Sequence, residues 1–167
     1  MKIVHTLEEL GRQEAPCSMA LGAFDGLHRG HLAVIHAACA PGRDGQVWEP
    51  AVFTFRTSPS GNCAVLTGRC HARRLCCGED FRFGKGAKGD VTLLRQLCQE
   101  AGVELYVVPP VTDGGEKVSS TRIRRAVEEG DIPLANRLLG RPFGFSLEVI
   151  HGNHIGTGLG TPTINQA

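Results

Sequence analysis

The stretch SMALGAFDGLHRGHLAVIHAACA, Ser18 to Ala40, runs from an apolar segment through a glycine-rich turn into a helical pattern. Its first part, SMALGAFD (Ser18 to Asp25), is short, apolar and closed by glycine and aspartate, which suits a buried strand feeding a turn. HRGHLAVIHAACA follows as a helix with Leu32, Ile35 and Cys39 at helical spacing, stopped by Pro41 and Gly42. PAVFTF (Pro50 to Phe55) supplies the next strand. Strand, helix, strand in that order predicts a parallel pair joined by a crossover, and so an α/β fold.

Working outward, Arg56 to Cys77 shows no sustained period and is expected to be mostly loop, with RRLCC (Arg73 to Cys77) as a short strand. DVTLLRQLCQEAG (Asp90 to Gly102) predicts a helix capped by Asp90, with Val91, Leu94, Leu97, Cys98 and Ala101 on one face and Gly102 as its stop. VELYVVPP (Val103 to Pro110) is a strand closed by two prolines. Ser119 or Ser120 can cap a helix whose buried stripe is Ile123, Ala126 and Val127, ending at Gly130. Asp131 caps a second helix with Pro133 in its first turn, Leu134 and Leu138 inward, and Gly140 as its end. FGFSLEVIHG, from Phe143, is strand-like, and a glycine- and threonine-rich stretch follows it. A domain boundary is expected near Arg141 and Pro142.

The totals narrow the function classes. A chain of 167 residues supports one domain with a proper core and at most part of another. A formal charge of +1 provides no field for a nucleic-acid backbone, so phosphate chemistry has to come from local donors. No apolar run is long enough to span a bilayer, and the start MKIVHTLEEL lacks the features of a secretory signal, so a soluble, cytoplasmic protein is expected. The seven cysteines are then expected as free thiols. The group Cys63, Cys70, His71, Cys76 and Cys77 could seat zinc but lacks paired C-x-x-C spacing, and buried thiols are the plainer reading.

Three stretches can carry chemistry. In LGAFDGLHRGHL (Leu21 to Leu32), glycines allow a sharply bent backbone to approach a ligand, and the following helix start favours anions. His28 and His31 lie within one helical turn, so both rings can face one bound group. Such a pair also occurs as an ordinary surface feature, and zinc would need a third ligand that is not local. In SSTRIRR, the hydroxyls and amides of a helix start again suit phosphate, and Arg124 sits one turn in from Ser120. Its plain alternative is a capped helix with a solvated basic face. In GEDFRFGKGAKGD (Gly78 to Asp90), the phenylalanines could stack on a planar ring, with Lys85 or Lys88 reaching a phosphate; Phe81 and Phe83 tucked under a surface loop is the alternative.

Together, and in this order, GAFDGLHRGH, GEDFRFGKGAKGD and VSSTRIRRAVEEGDIPLANRLLGRPF resemble the adenylyltransferase half of the bacterial bifunctional riboflavin kinase/FAD synthetase family. VIHGNHIGTGLGTPTIN resembles the opening of its kinase half. The resemblance implies a Rossmann-like parallel sheet of the H-x-G-H nucleotidyltransferase type over residues 1–141, shortened around 56–77, with the truncated start of a β-barrel kinase domain over 142–167.

By the same resemblance, the chain is an enzyme of FAD biosynthesis. ATP and FMN give FAD and pyrophosphate with Mg2+, the partners being these small molecules. His28 and His31 would contact the ATP phosphates and the transition state. Ser120, Thr121 and Arg124 would hold the departing pyrophosphate, while Gly22, Phe24, Asp25 and Gly26 would line the nucleotide site. Asp80 and Phe81 would lie near adenosine or flavin. Thr163 and Asn165 match the kinase residues that bind magnesium and phosphate; with the rest of that barrel lying past Ala167, riboflavin phosphorylation is not expected.

Two departures accompany the match. The family carries an aspartate-proline-histidine-proline type sequence after the second strand, where this chain has TFRTSPSGN, so no phosphate contact is carried over there. The family also has a longer segment before GEDFRFG. A non-catalytic fragment that binds nucleotide or flavin, and an H-x-G-H nucleotidyltransferase with another acceptor, stay open as alternatives.

Overall fold

A computed structural model of the chain describes residues 3–5, 15–54, 70–150 and 165–166. Four parallel strands form its sheet: β1 (Cys17–Leu21), β2 (Glu49–Phe53), β3 (Ala72–Gly78) and β4 (Glu104–Val108), in the order β2-β1-β3-β4. The helices are α1 (Arg29–Cys39), α2 (Val91–Glu100), α3 (Ser120–Glu128) and α4 (Ile132–Leu139). A two-stranded hairpin, β5 (Thr112–Asp113) and β6 (Glu116–Lys117), precedes α3, and a second antiparallel pair joins β7 (Val149–Ile150) to β8 (Asn165–Gln166).

Successive side chains of a strand point to opposite faces, and the sheet sorts its apolar residues accordingly. Met19, Leu21, Leu75, Cys77 and Leu105 pack with Leu94 and Cys98 of α2 on one face. Ala20, Cys76 and Val108 pack with Val34 and Ala38 of α1 on the other. A third cluster, Val118, Ile123, Leu138 and Leu139, holds α3 and α4 together. The expected alternation of parallel strands and helices is therefore present, with a helix on each face of the sheet.

The caps follow the sequence closely. Asp90 accepts from the amide of Leu93, Ser119 from that of Arg122, and Asp131 from that of Leu134, each satisfying a first-turn donor. Gly140 ends α4 in the left-handed region at φ 75°. α1 ends at Ala40, which is extended because Pro41 follows it.

Several expectations are corrected. In α1 the buried positions are Val34 and Ala38, while Cys39 is exposed and Leu32 and Ile35 are only partly covered. Apart from Arg29, His31 and His36 every position of this helix is apolar or small, so spacing alone could not select the inward stripe. The short strand expected over RRLCC is present as part of β3, which lies inside the sheet between β1 and β4. Its Arg74 is 4% exposed, donating to Glu104 Oε2 at 3.0 Å and to the carbonyls of Ala40 and Pro41 at 2.9 Å, with Trp48 against its guanidinium. The acceptors at the carbonyl end of α1 and the Glu104 carboxylate offset the desolvation cost of burying this cation. β2 is assigned as far as Phe53, and Phe55 lies outside the described residues. Of FGFSLEVIHG, only Val149–Ile150 pairs among the described residues, and Phe145 is 70% exposed.

Cys76 and Cys77 face opposite sides of the sheet, so the two cannot converge on one ion. Burial pushes their thiols up to about 11 and about 12, and they act as core residues. Cys63 lies outside the described residues. Among those residues, no helix is long and apolar enough to cross a membrane.

Candidate functional site

The order β2-β1-β3-β4 places β2 and β3 on either side of β1, and a crevice opens at the carboxyl ends of the strands where the chain changes direction. A cavity of about 350 Å³ lies there. The loops after β1, β3 and β4 and the amino ends of α1 and α3 form its wall.

The β1–α1 turn is built around two consecutive left-handed residues, Gly26 at φ 68° and Leu27 at φ 43°. A glycine takes this conformation freely; a leucine does so only under constraint from its neighbours. This turn delivers His28 to the N-cap of α1, where its Nδ1 accepts from the amide of His31 at 3.2 Å. The neutral ring that accepts at Nδ1 carries its proton on Nε2. His31, on the first turn of the helix, stacks on it with ring centroids 3.6 Å apart. Phe24 meets His31 edge-on at 5.4 Å.

Gly30 lies between these histidines in sequence, and a Cβ there would stand 3.1 Å from the His28 ring and 3.5 Å from the carbonyl of Val118. The H-x-G-H spacing thus has a steric reason: α1 starts close against the link between β6 and α3. Burial, aided by the neighbouring His31, brings the pKa of His28 down to about 4. Burial also lowers His31, with Asp25 opposing the shift. Both rings are neutral hydrogen-bonding groups near pH 7.

Across the cavity stands the amino end of α3. Ser120 lines the wall, and its hydroxyl donates to Asp25 Oδ1 at 2.9 Å. Arg124 forms an ion pair with Asp25 Oδ2, and His31 Nε2 lies 3.9 Å from Oδ1. Asp25 therefore joins the two helix starts. Thr121 is exposed on the first turn of α3. Gly22, Phe24, Asp80 and Phe81 line the cavity, whereas Gly26 forms the turn behind it and gives its carbonyl to Arg141 at 3.0 Å.

The two phenylalanines of GEDFRFG part, one to the cavity wall and one to the core. Phe81 borders the cavity, while Phe83 is 8% exposed in the main core, stacked beneath Phe81 at 6.0 Å. Lys85 begins a short 3-10 turn, and Lys88 follows it; both are exposed and outside the cavity wall. Thr163 and the side chain of Asn165 fall outside the described residues.

A charged wall residue outside the three quoted stretches, Lys117, escapes sequence reasoning. Lys117, on β6, reaches Asp80 Oδ2 at 2.7 Å across the mouth of the cavity. Although burial alone would raise it, the Asp80 carboxyl is held below its ordinary range by this ammonium. The available signal was TDGGEK (Thr112 to Lys117), a hairpin signature with paired glycines that turns Lys117 back towards the strand ends. Asp113 anchors the hairpin by pairing with Arg29 at 3.1 Å and Arg137 at 3.8 Å.

A family model described as FAD synthetase matches residues 11–69 and 63–122. The bifunctional riboflavin kinase/FMN adenylyltransferase of Pseudomonas fluorescens is 31% identical over 99% of this chain and 67% of its own length. That of Escherichia coli (strain K12) is 28% identical over the same shares, in an alignment of 211 positions against 167 residues here, so the relative carries residues this chain lacks. A crystal structure of a macrolide-efflux protein from Streptococcus pneumoniae superposes with a TM-score of 0.72 at 24% identity, covering 98% of this chain and 67% of that one, and shows the same fold. On the family match, which spans more than half its length, this chain belongs to the FAD synthetase family.

Proposed function

We propose that the chain transfers the AMP of ATP to FMN, giving FAD and pyrophosphate, at the cleft between the starts of α1 and α3. The observation that carries this reading is the stacked pair His28 and His31 facing Ser120 across one cavity. An oxygen of the FMN phosphate attacks the α-phosphorus as the bond to the β-phosphate oxygen breaks, and no covalent enzyme intermediate is required. What the protein supplies is alignment and donors for the charge that grows on phosphoryl oxygens.

Neutral His28, with its proton on Nε2, donates to such an oxygen, and His31 beside it does the same. The amides of Ser120 and Thr121, ahead of the one that Ser119 caps, have no acceptor within the helix and, with the side chains of Ser120, Thr121, Arg124 and Lys117, hold the departing pyrophosphate. Gly22 and Phe24 bound the nucleotide side, and Phe81 with Pro109 and Pro110 offers apolar surface to a planar ring. ATP enters as its magnesium complex, the ion being part of the substrate. This assignment makes the fold one of the H-x-G-H nucleotidyltransferase type.

The catalytic unit in this reading covers residues 1–141. Its limit is supported by the left-handed stop at Gly140 and by the absence of regular structure over 141–148. Residues 142–167 form the start of the kinase part, with Thr163 and Asn165 its magnesium-binding pair.

The test is incubation of the chain with ATP, FMN and magnesium, followed by chromatography for FAD. FAD is expected from the unaltered chain, and His31→Ala should lower its rate on the order of 10²-fold to 10³-fold while the circular dichroism spectrum is kept. Equal rates in the two proteins would remove His31 from the mechanism.

A further inference from the structure

One carboxylate engages two of the side chains that the proposed reaction assigns to phosphate on α3, Ser120 and Arg124, and it faces another phosphate-directed group on α1. Asp25 accepts from Ser120 through Oδ1 and from Arg124 through Oδ2, with His31 Nε2 3.9 Å away. An anion is favoured at the amino end of a nine-residue helix, and a guanidinium one turn in adds to the preference.

We propose that Asp25 is an internal anion that occupies the phosphate seat of α3 and has to be displaced by the incoming nucleotide. The proposal rests on the reading that this seat takes the pyrophosphate part of ATP. Two anions cannot share Ser120 and Arg124 without repulsion, because like charges about 4 Å apart oppose each other even where water screens them.

Displacement is feasible because the hold is weak. The Asp25 and Arg124 side chains are 49% and 64% exposed, and ion pairs this open contribute little. A pyrophosphate group brings more charge and more acceptor oxygens than one carboxylate, so it wins the exchange. Release of Asp25 also removes the carboxylate beside His31, which leaves that ring to the phosphoryl oxygens. Nucleotide arrival and readiness of the imidazole are thereby coupled through one side chain. The empty site keeps its cations paired, and nucleotide affinity is reduced by the fraction of molecules in which Asp25 is seated.

The experiment is calorimetric titration of inorganic pyrophosphate, and in parallel of ATP, into the unaltered chain and Asp25→Asn. Asparagine retains an acceptor for Ser120 but lacks the charge. Pyrophosphate is expected to bind Asp25→Asn about tenfold more tightly at low salt, with the gap narrowing as salt rises. Equal or weaker binding by the variant overturns the proposal; a residue that merely tethered α3 or recruited a metal-bound phosphate would give that result.

Should Asp25→Asn fail to fold, the carboxyl carbon resonance of Asp25 in the unaltered, 13C-labelled chain decides the matter. It is expected to move in proportion to bound pyrophosphate, and an unmoved resonance at saturation overturns the proposal. If the unaltered chain binds ATP but the variant gains nothing, the gate alone fails. If neither protein binds ATP, the reading of the cleft fails and the gate with it.

Discussion

His28 combines three roles that usually fall to separate residues: it caps α1, stacks on His31 and borders the cavity. Its neutrality has a consequence for stability. In the unfolded chain the imidazole titrates near 6.5, whereas burial holds it at about 4 in the folded protein. Between these values the unfolded chain takes up a proton that the folded one refuses, so stability falls as pH drops from 6.5 to about 4 and then levels off. His31, also lowered, adds to the same slope. His28→Asn retains a cap acceptor and removes the titration. Its melting temperature is expected to depend less steeply on pH across this window than that of the unaltered chain, as read by thermal unfolding; an identical slope would assign the pH dependence elsewhere.

At the scale of elements, what could be read from sequence was what is local. Asp90, Ser119 and Asp131 act as caps because a short side chain and an amide three residues on are enough to define one. β1 and α1 were legible for the same reason. β3 was legible as a short strand but not as a central one, since its two arginines disguise its burial: Arg74 is accommodated because the α1 carbonyls and Glu104, distant in sequence, receive it. The inward face of α1 was hidden by its uniform composition, and Lys117 by its dependence on how a hairpin lies over strand ends. The paired histidines and the α3 start were visible as motifs, but their shared carboxylate was not.

The close start of α1 yields its own prediction. Gly30→Ala would gain about 1 kcal/mol of helix propensity and lose about 1–3 kcal/mol to overpacking against the His28 ring. The net change is therefore a loss of about 0 to 2 kcal/mol, while displacement of the ring is expected to slow FAD formation at least about tenfold, since transfer depends on placement within a fraction of an ångström. A variant with unchanged FAD formation would show that the glycine is not needed for ring placement.

Across the whole molecule, the fold brings groups nearly a hundred residues apart to one crevice. The sheet order opens that crevice, the Asp113 pairings fix the hairpin against α1 and α4, and Asp25 links the β1–α1 turn to α3. The account depends on two helix starts gripping one ligand. The direct measurement is titration of the 15N-labelled chain with magnesium-ATP while backbone amides are followed by NMR. Amides of His28–Leu32 and of Ser120–Arg124 are expected to shift together with a single dissociation constant. Movement of one group without the other, or distinct constants for the two, would contradict a shared grip.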